Sequence, residues 1–352
     1  MIIKENKKNR GQFYTVNSSY ILKGLPTPPQ DICSVIEPFA GQGDLITWLN
    51  QTGYNSNIEA YDIEPKASGI IQRDSLLNPP DYTDSWIITN PPYLARNKCK
   101  DKTVFDFYST NDLYKAFILS LTKQKGCRGG IFIIPVGFFL SPRALDVQCR
   151  NAFLSKYKIT KVRYFEEDVF PDTPTTVVAF SFEKSETLLT EQNIEWEHLP
   201  SGTTKIFNVK AEHDWIVGGS IYKLDKPNKI KIRRYVSGQQ LKAGEQITGL
   251  TLTALDSGKK DGRISLKYRE GYVYAGKDTS RSYATLCISG RTLTIDEQKR
   301  LAELFDDYIE KKRLETWSLF LPQFRESKEY ARKRIPFELA YDIVLHLIKT
   351  QL

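Results

Sequence analysis

The chain has 352 residues, of which 40% are hydrophobic and 26% charged, a balance typical of folded globular proteins. No apolar run approaches the roughly 20 residues that a membrane-spanning helix needs. The first ten residues are polar and basic, and no apolar segment of the kind found in secretory signals follows them. We therefore expect an intracellular, cytoplasmic protein and exclude a disordered or membrane-embedded one.

Cysteine and histidine are both scarce. The five cysteines contain no Cys-x-x-Cys pair, so neither a disulfide framework nor a zinc site is expected. The three histidines, His198, His213 and His346, show no metal-ligand spacing. The sequence therefore predicts no metal, and it disfavours both metalloenzymes and hydrolases with a Ser-His-Asp triad.

The net charge of +8 is unevenly distributed along the chain. Residues 1–200 carry 22 Lys and Arg against 23 Asp and Glu, whereas residues 201–352 carry 28 against 19. All the excess positive charge thus lies in the second part. This asymmetry predicts a polyanion-binding module joined to a nearly neutral one.

The first part of the chain alternates strand and helix patterns. Runs rich in β-branched and aromatic residues predict strands over 34–36, 57–63, 85–89, 130–136, 159–165 and 175–182. Apolar residues at helical spacing predict helices over 111–123 and 141–157, and another helix is expected from Asp44. Such alternation predicts an α/β fold with a mostly parallel sheet.

A polar stretch over 183–202 shows little periodicity, and we place the domain boundary within it, between residues 190 and 191. Beyond it, residues 264–274 alternate around a Glu-Gly pair, which predicts a hairpin. Thr294 and Glu297 have capping-box spacing at the start of an amphipathic helix, and a final helix is expected over 336–349. The sequence therefore predicts a C-terminal α+β domain over residues 191–352.

A glycine turn follows the first predicted strand, and it contains Gly41 and Gly43. Glycines let the backbone approach a ligand closely, and nucleotides bind at the carboxyl ends of parallel strands. The dinucleotide fingerprint G-x-G-x-x-G fails because residue 46 is Ile46. Glu37 and Asp44 flank the turn, which favours a cationic ligand over a pyrophosphate.

Two more carboxylates follow the next predicted strands. Asp62 lies about 20 residues after the glycine turn, where a carboxylate can accept hydrogen bonds from both ribose hydroxyls. Asp74 can accept a hydrogen bond from an exocyclic amine. Together with the acids at the glycine turn, these two residues predict an adenosine site.

The tetrapeptide Asn90-Pro91-Pro92-Tyr93 follows the predicted strand over 85–89. Its two prolines fix a rigid loop, so the Asn90 side-chain oxygen and the Pro91 carbonyl can converge on one amino group. Two acceptors that take both N–H donors of a planar amine favour its pyramidalisation and free its lone pair. Tyr93 supplies a ring for stacking on a base, and this chemistry needs no general base.

These motifs resemble, in their order, the gamma class of DNA adenine-N6 methyltransferases, which use S-adenosylmethionine and usually belong to restriction–modification systems. The resemblance runs from about Gly11 to Glu183 and includes the run Gly11 to Thr15. It implies a Rossmann-like, seven-stranded mixed sheet with helices on both faces over residues 1–190, followed by a target-recognition domain. The short spacer over 66–72 leaves little room for the helix expected before Asp74.

The resemblance also assigns site residues. It places S-adenosylmethionine among thirteen residues: Phe13, Tyr14, Thr15, Glu37, Pro38, Ala40, Gly41, Gly43, Asp62, Ile63, Asp74, Ser75 and Asn90. The catalytic set comprises Asn90, Pro91, Pro92, Tyr93 and Phe170, the last from the loop before the strand over 175–182. In this assignment Asn90 and Pro91 hold the target amine, and the rings of Tyr93 and Phe170 stack on the flipped base.

The sequence thus predicts methyl transfer to N6 of adenine in double-stranded DNA, with a separate cognate restriction endonuclease and a monomeric enzyme. A glutamine-specific protein methyltransferase uses the same tetrapeptide, but that family carries a helical domain before the fold, and only about ten residues precede Gly11 here. Cytosine N4 and structured RNA are further acceptors with the same chemistry. A catalytically silent DNA-binding protein is disfavoured by the intact Asn90 and Asp62.

The positive charge of the second part predicts its role in binding DNA. Lys and Arg neutralise phosphates and position the duplex, while a few side chains read base edges. The candidate contact residues are Arg233, Arg234, Lys259, Lys260, Arg263 and Arg281.

Overall fold

The computed structural model describes residues 15, 17–54, 57–170, 175–256, 263–277, 279–324 and 332–352. Phe13, Tyr14, Lys259 and Lys260 lie outside the described residues. The chain forms two compact units. The first unit runs to Ile216, and the second comprises Val217–Phe324 and the C-terminal segment.

The first unit alternates strands and helices as predicted. Its helices are α1 (Ser18–Ile21), α2 (Asp44–Gln51), α3 (Thr103–Tyr108), α4 (Leu113–Lys123), α5 (Gly137–Leu140) and α6 (Ala144–Leu154). Its strands are β1 (Val35–Glu37), β2 (Ile58–Asp62), β3 (Ile71–Gln72), β4 (Trp86–Thr89), β5 (Gly129–Pro135), β6 (Tyr157–Phe165), β7 (Val177–Lys184), β8 (Glu191–Leu199) and β9 (Thr203–Lys210).

These strands form one mixed sheet in the order β3-β2-β1-β4-β5-β7-β6-β8-β9. Strands β1 to β5 pair in parallel, and β7 lies antiparallel between β5 and β6. The chain moves from β1 toward one edge and from β4 toward the other. Because β-α-β crossovers are right-handed, this reversal places their helices on opposite faces of the sheet. The predicted Rossmann-like α/β fold is therefore confirmed.

Central strand β5 is buried along nearly its whole length. All its residues but Pro135 are buried, as expected of a parallel strand covered on both faces. Phe132 packs its ring on Phe117 of α4 and Phe153 of α6, with centroids 5.1 and 5.9 Å apart. The helices thus hold β5 and the neighbouring strand ends in place.

Two strands that the sequence analysis assigned to a polar linker extend this sheet. Strand β8 pairs in parallel with β6, and β9 pairs antiparallel with β8. Gln192, Ile194 and Trp196 alternate as buried residues along β8. The two units therefore divide after Ile216, later than the expected boundary at residue 190, because β8 and β9 bury their inner face in the first unit.

The second unit is an α+β domain, as predicted. It contains β10 (Lys231–Tyr235), β11 (Glu245–Thr253), β12 (Ser265–Tyr268), β13 (Tyr283–Ser289), α7 (Ile295–Thr316), β14 (Gln323–Phe324), β15 (Arg332–Lys333) and α8 (Phe337–Gln351). Four strands form an antiparallel sheet in the order β10-β13-β11-β12, and its buried side chains pack with those of α7 and α8. Thr294 and Glu297 form the predicted capping box.

The expected hairpin over 264–274 is wrong. Strand β12 pairs with β11, which precedes it in the chain, and residues 273–276 form no strand. Among the described residues, no helix has both the length and the apolar content to cross a bilayer.

Gly130 sets the close contact between β4 and β5, and it yields a stability prediction. A Cβ atom at Gly130 would lie 2.1 Å from the Ile87 carbonyl oxygen. Gly130→Ala must therefore displace backbone and should destabilise the first unit by about 1–3 kcal/mol or more. Gly137→Ala is the matched control, because no atom lies within 4 Å of its added Cβ. Calorimetric melting temperatures that are equal for the two variants would contradict this.

Candidate active site

A cavity of about 350 Å³ lies in the first unit, at the carboxyl ends of β1, β2, β3 and β4. Its volume falls within the range of about 300–1,000 Å³ typical of small-molecule sites. It also lies where the strand order reverses between β1 and β4, the usual ligand position in open α/β sheets. The lining residues are Thr15, Glu37, Phe39, Ala40, Gly41, Asp44, Leu45, Asp62, Ile63, Arg73, Asp74, Ser75, Leu76, Leu77, Asn90, Pro92, Leu94, Cys99, Asp101, Val104, Phe105 and Leu113.

The glycine turn after β1 is held by the end of β2. Gly41 and Gly43 have φ angles of +53° and +84°, a region that favours glycine. The Gly41 N–H donates to Asp62 Oδ2 at 2.9 Å, and the Ala40 N–H donates to the Tyr61 carbonyl at 2.8 Å. The other carboxylate oxygen, Asp62 Oδ1, accepts a hydrogen bond from the Glu64 N–H at 2.8 Å. The Asp62 carboxylate thus connects two strand ends, and its remaining lone pairs can accept further donors.

Three acidic side chains lie close together at one end of the cavity. Glu37 is 2% exposed, and its Oε2 has no hydrogen-bond partner among the described residues. Burial raises the pKa of Glu37 well above its usual value, and the nearby carboxylates of Asp44 and Asp62 raise it further. Burial also raises the pKa of Asp44, against a hydrogen bond from the Thr15 backbone. This end of the cavity is suited to a cation.

The other end of the cavity combines apolar surface with polar groups. Ile63 lines it and is 48% exposed, which leaves a flat apolar face for a ring. Asp74 Oδ1 accepts from the N–H groups of Leu76 and Leu77, which fixes the carboxylate at the turn after β3. The buried Ser75 hydroxyl has no hydrogen-bond partner among the described residues. An apolar face beside a fixed acceptor is suited to a planar, amine-bearing ring.

The tetrapeptide presents Asn90 to the cavity. Asn90 is buried directly after β4, and its Nδ2 donates to Thr15 Oγ1 at 3.1 Å. Its Oδ1 accepts a hydrogen bond from the Tyr93 hydroxyl, which also lies 2.6 Å from the Ile133 carbonyl. The side-chain amide is therefore fixed in orientation, with its acceptor oxygen occupied by Tyr93 in this structure.

The structure does not bring the two predicted stacking rings to the cavity. Tyr93 is 8% exposed and packs edge-on to Tyr114, with ring centroids 6.4 Å apart. Phe170 is 3% exposed. Neither residue lines the cavity, and both side chains are almost fully buried.

The segment after the tetrapeptide is bonded to the start of α4. The Leu113 N–H donates to the Leu94 carbonyl at 3.2 Å, and the Arg96 N–H donates to the Asn111 carbonyl at 2.9 Å. Burial raises the pKa of Asp112 to about 6, partly offset by the Lys115 ammonium and the nearby N–H groups of Tyr114 and Leu94. This contact fixes the end of the rigid loop that begins at Asn90.

Most of the predicted cofactor residues line this one cavity, and the others lie in the turns beside it or outside the described residues. Lining it are Thr15, Glu37, Ala40, Gly41, Asp62, Ile63, Asp74, Ser75 and Asn90, together with the catalytic candidate Pro92. Pro38, Gly43 and Pro91 shape the turns without lining the cavity. The short connection before β3 contains no helix, yet the pairing of β3 with β2 brings Asp74 to the cavity.

Several lining residues were missed because they belong to no motif. Arg73 lines the cavity while its guanidinium donates to the Asn78 and Pro79 carbonyls and lies over the Tyr61 ring. A second wall comes from the segment after the tetrapeptide and from α3, with Leu94, Cys99, Asp101, Val104 and Phe105. Its apolar residues read as ordinary core in the sequence, so only the fold identifies them.

The predicted DNA-binding arginines of the second unit differ in the hydrogen bonds and ion pairs that they form within the protein. Arg233 forms two bonds to the Glu245 carboxylate, at 2.8 and 2.7 Å, and Arg234 donates to the Ser280 carbonyl at 2.6 Å. Arg263 is half-exposed, 3.5 Å from Glu310. Arg281 is exposed and forms no ion pair with a described residue. The two exposed arginines are therefore the more accessible cations.

One segment of the chain that contributes to this site matches a known protein family. Residues 85–170 match the family model of the Eco57I restriction-modification methylase, and this segment contains the tetrapeptide, α3 and α4. The resemblance predicted from the motifs is confirmed over this segment. No curated protein gives a significant match to the chain.

Solved structures with a similar fold cover part of the chain. A modification subunit of a putative type I restriction enzyme from Vibrio vulnificus is 15% identical, covers 58% of this chain and 51% of its own, and gives a TM-score of 0.43. A putative class I S-adenosylmethionine-dependent methyltransferase from Listeria monocytogenes is 16% identical, with coverages of 53% and 62% and a TM-score of 0.38. The present chain thus spans about half the length of the first subunit.

The raised pKa of Asp112 predicts a pH-dependent stability. A carboxyl with a pKa of about 6 when folded and near 3.8 when unfolded contributes stability that is present below pH 3.8. That contribution is lost as the pH rises through 6. The free energy of unfolding of the native chain should therefore fall, relative to Asp112→Asn, by up to about 3 kcal/mol between pH 4 and 7.

Urea unfolding of both proteins across this range is the measurement. The control is Asp101→Asn, because a hydrogen bond from Thr103 lowers the pKa of Asp101, so its contribution is nearly complete at pH 4 and should change little up to pH 7. A difference between native and Asp112→Asn chains that does not vary with pH would contradict the assignment.

Proposed function

We propose that this protein is an S-adenosylmethionine-dependent DNA methyltransferase that modifies N6 of adenine and serves as the modification component of a restriction–modification system. One observation carries the proposal. The fixed Asn90 amide of the Asn-Pro-Pro-Tyr loop opens into the same cavity as the carboxylates of Glu37, Asp62 and Asp74. The family match over residues 85–170 supports it.

The cavity residues fit S-adenosylmethionine in charge and shape. Its cationic methionine end matches Glu37, whose buried Oε2 has no partner among the described residues. The remaining lone pairs of Asp62 suit the ribose hydroxyls, and Ile63 and Asp74 suit the adenine ring and its amine. When bound, this cofactor supplies an electrophilic methyl group on a sulfonium.

Asn90 is the residue that we assign to the target amine. Its Nδ2 bond to Thr15 fixes the amide so that Oδ1 is the acceptor. The Tyr93 hydroxyl now donates to that oxygen, and in the proposed mechanism it moves away as the amine enters. Once Oδ1 and the Pro91 carbonyl hold the two amine protons, the nitrogen lone pair is oriented for attack, and positioning supplies most of the catalysis.

Displacement of Tyr93 also accounts for its place in the mechanism. A target adenine must leave the base stack, which costs a few kcal/mol. A Tyr93 ring released from Asn90 can return about 1–3 kcal/mol by stacking on the extruded base, and Phe170 can return a similar amount on the other face. Release of the hydroxyl thus couples base entry to ring stacking.

The second unit is the proposed target-recognition domain. Residues 217–352 carry nine more Lys and Arg than Asp and Glu, so the charge asymmetry persists at the observed boundary. Exposed cations bind phosphates and position the duplex. Arg263 and Arg281 are the first candidates, whereas Arg233 and Arg234 would have to exchange internal partners. The cognate endonuclease is proposed as a separate chain.

The first prediction concerns the cofactor. Asp62→Ala removes a charged acceptor, and each such hydrogen bond contributes roughly 1.5–3 kcal/mol. The Kd for S-adenosylmethionine, measured by calorimetry, should therefore rise by about 10- to 150-fold. Glu64→Ala is the matched control, since the Glu64 side chain is 47% exposed and outside the cavity. Unchanged affinity in Asp62→Ala would remove Asp62 from the site.

The second prediction concerns the chemistry. Asn90→Ala should lower methyl transfer by about 10²–10³-fold, as expected for loss of one fixed polar group at a reacting centre. Cofactor binding should persist. Incorporation of tritiated methyl groups into duplex DNA is the measurement, with exposed Asn151 of α6 changed to Ala as the control. If incorporation survives Asn90→Ala undiminished, the proposed mechanism is wrong.

The third prediction concerns DNA. Arg281→Ala should weaken duplex binding and reduce the salt slope of log K by about one phosphate contact. Arg300→Ala is the control, because Arg300 is similarly exposed on α7 but pairs with Glu303. Fluorescence anisotropy at several salt concentrations measures both. A salt slope that Arg281→Ala leaves unchanged would exclude Arg281 as a phosphate contact.

A further inference from the structure

Glu37 lines the cavity and has no counter-ion among the described residues. It is the last residue of β1, is 2% exposed, and lines the cavity. None of the described Lys or Arg residues forms an ion pair with it, and its Oε2 accepts no hydrogen bond from a described residue. Burying an ionised carboxylate in this way is costly, and such a group takes up a proton instead.

The groups around Glu37 strengthen this effect. Asp62 at the end of β2 and Asp44 at the start of α2 are both acids. Asp62 already accepts hydrogen bonds from two backbone N–H groups, whereas Glu37 Oε2 accepts none from a described residue. Neighbouring carboxyl groups repel one another when all are ionised. The carboxyl group that accepts the fewest hydrogen bonds therefore holds the proton. That carboxyl is Glu37.

The described Lys and Arg side chains near Glu37 form hydrogen bonds or ion pairs with other residues. The Arg73 guanidinium donates to the Asn78 and Pro79 carbonyls, and Lys66 pairs with Glu64. Asn90 and Thr15, which also face the cavity, carry no charge. Among the described residues, no cation is therefore left to pair with Glu37, and a cationic ligand can supply the missing positive charge.

We propose that binding of a cationic ligand to this cavity releases the proton of Glu37, so that cofactor binding is coupled to proton release. The O–H bond of Glu37 breaks, the proton passes to solvent, and the resulting carboxylate pairs with the ligand cation. This inference rests on the proposed function, since the cation is the α-ammonium or the sulfonium of S-adenosylmethionine. It predicts an affinity that increases with pH, by up to about tenfold per unit.

Calorimetry of the full chain with S-adenosylmethionine, in buffers of different ionisation enthalpy, counts the protons released. At about pH 6.5 the ligand amine keeps its own proton, because α-amino groups titrate at about 7.7–8.0. The native chain should release up to one proton per ligand. Glu37→Gln, which keeps the shape of the side chain, should bind more weakly, release almost none and show an affinity that varies little with pH.

Asp74→Asn is the matched control, since it changes a half-buried carboxylate of the same cavity. It should lower affinity and leave proton release as in the native chain. S-Adenosylhomocysteine keeps the α-ammonium and lacks the sulfonium, so proton release with it assigns the α-ammonium and no release assigns the sulfonium. Neutral adenosine should bind without release.

The outcomes separate this inference from the proposed function. Binding without proton release by the native chain, or undiminished release by Glu37→Gln, overturns the coupling and leaves the methyltransferase proposal standing. Release with adenosine equal to that with S-adenosylmethionine also overturns it. Absence of any binding of S-adenosylmethionine to the native chain overturns both.

Discussion

The cavity depends on one buried carboxylate. Asp62 accepts the N–H of Gly41 from the turn after β1 and the N–H of Glu64 beyond its own strand, at 2.9 and 2.8 Å. Charge-assisted bonds of this kind are about twice as strong as neutral ones. They let the glycine turn keep positive φ angles beside a neighbouring strand end, so that the backbone of both strands can face one ligand. A neutral residue at 62 would lose the shape of the cavity as well as an acceptor.

The tetrapeptide is fixed in a comparable way from two sides. The Thr15 hydroxyl orients the Asn90 amide on one side, and α4 holds Leu94 on the other. Between them, two prolines limit the backbone. Because the loop is rigid before any ligand arrives, little ordering entropy remains to be lost when an amine is positioned. In the proposed mechanism the part that moves is the Tyr93 side chain, which leaves Asn90.

The sequence predicted the site better than it predicted the fold boundaries. Glu37, Asp62 and Asn90 each follow a buried strand directly, so the rule that strand ends meet at one edge of a sheet placed them together. Strand β8 was missed because its buried residues include Gln192, and charged or polar residues alternate with them. Its burial depends on pairing with β6, which is distant in the sequence and invisible to a local pattern. The sequence does not indicate the contact of Tyr93 with β5 for a similar reason, since its hydroxyl lies 2.6 Å from the carbonyl of Ile133, which is distant along the chain.

The distribution of charge separates the two proposed ligands. Three carboxylates at one end of the cavity repel phosphate groups and attract a cation, which favours a sulfonium cofactor over a nucleotide phosphate. The second unit carries the opposite excess charge, which suits the phosphates of the proposed DNA substrate. If the cavity were lined by cations instead, polyanionic DNA would compete with the cofactor for it. An acidic cofactor site therefore allows a basic surface elsewhere on the same chain without competition between the ligands.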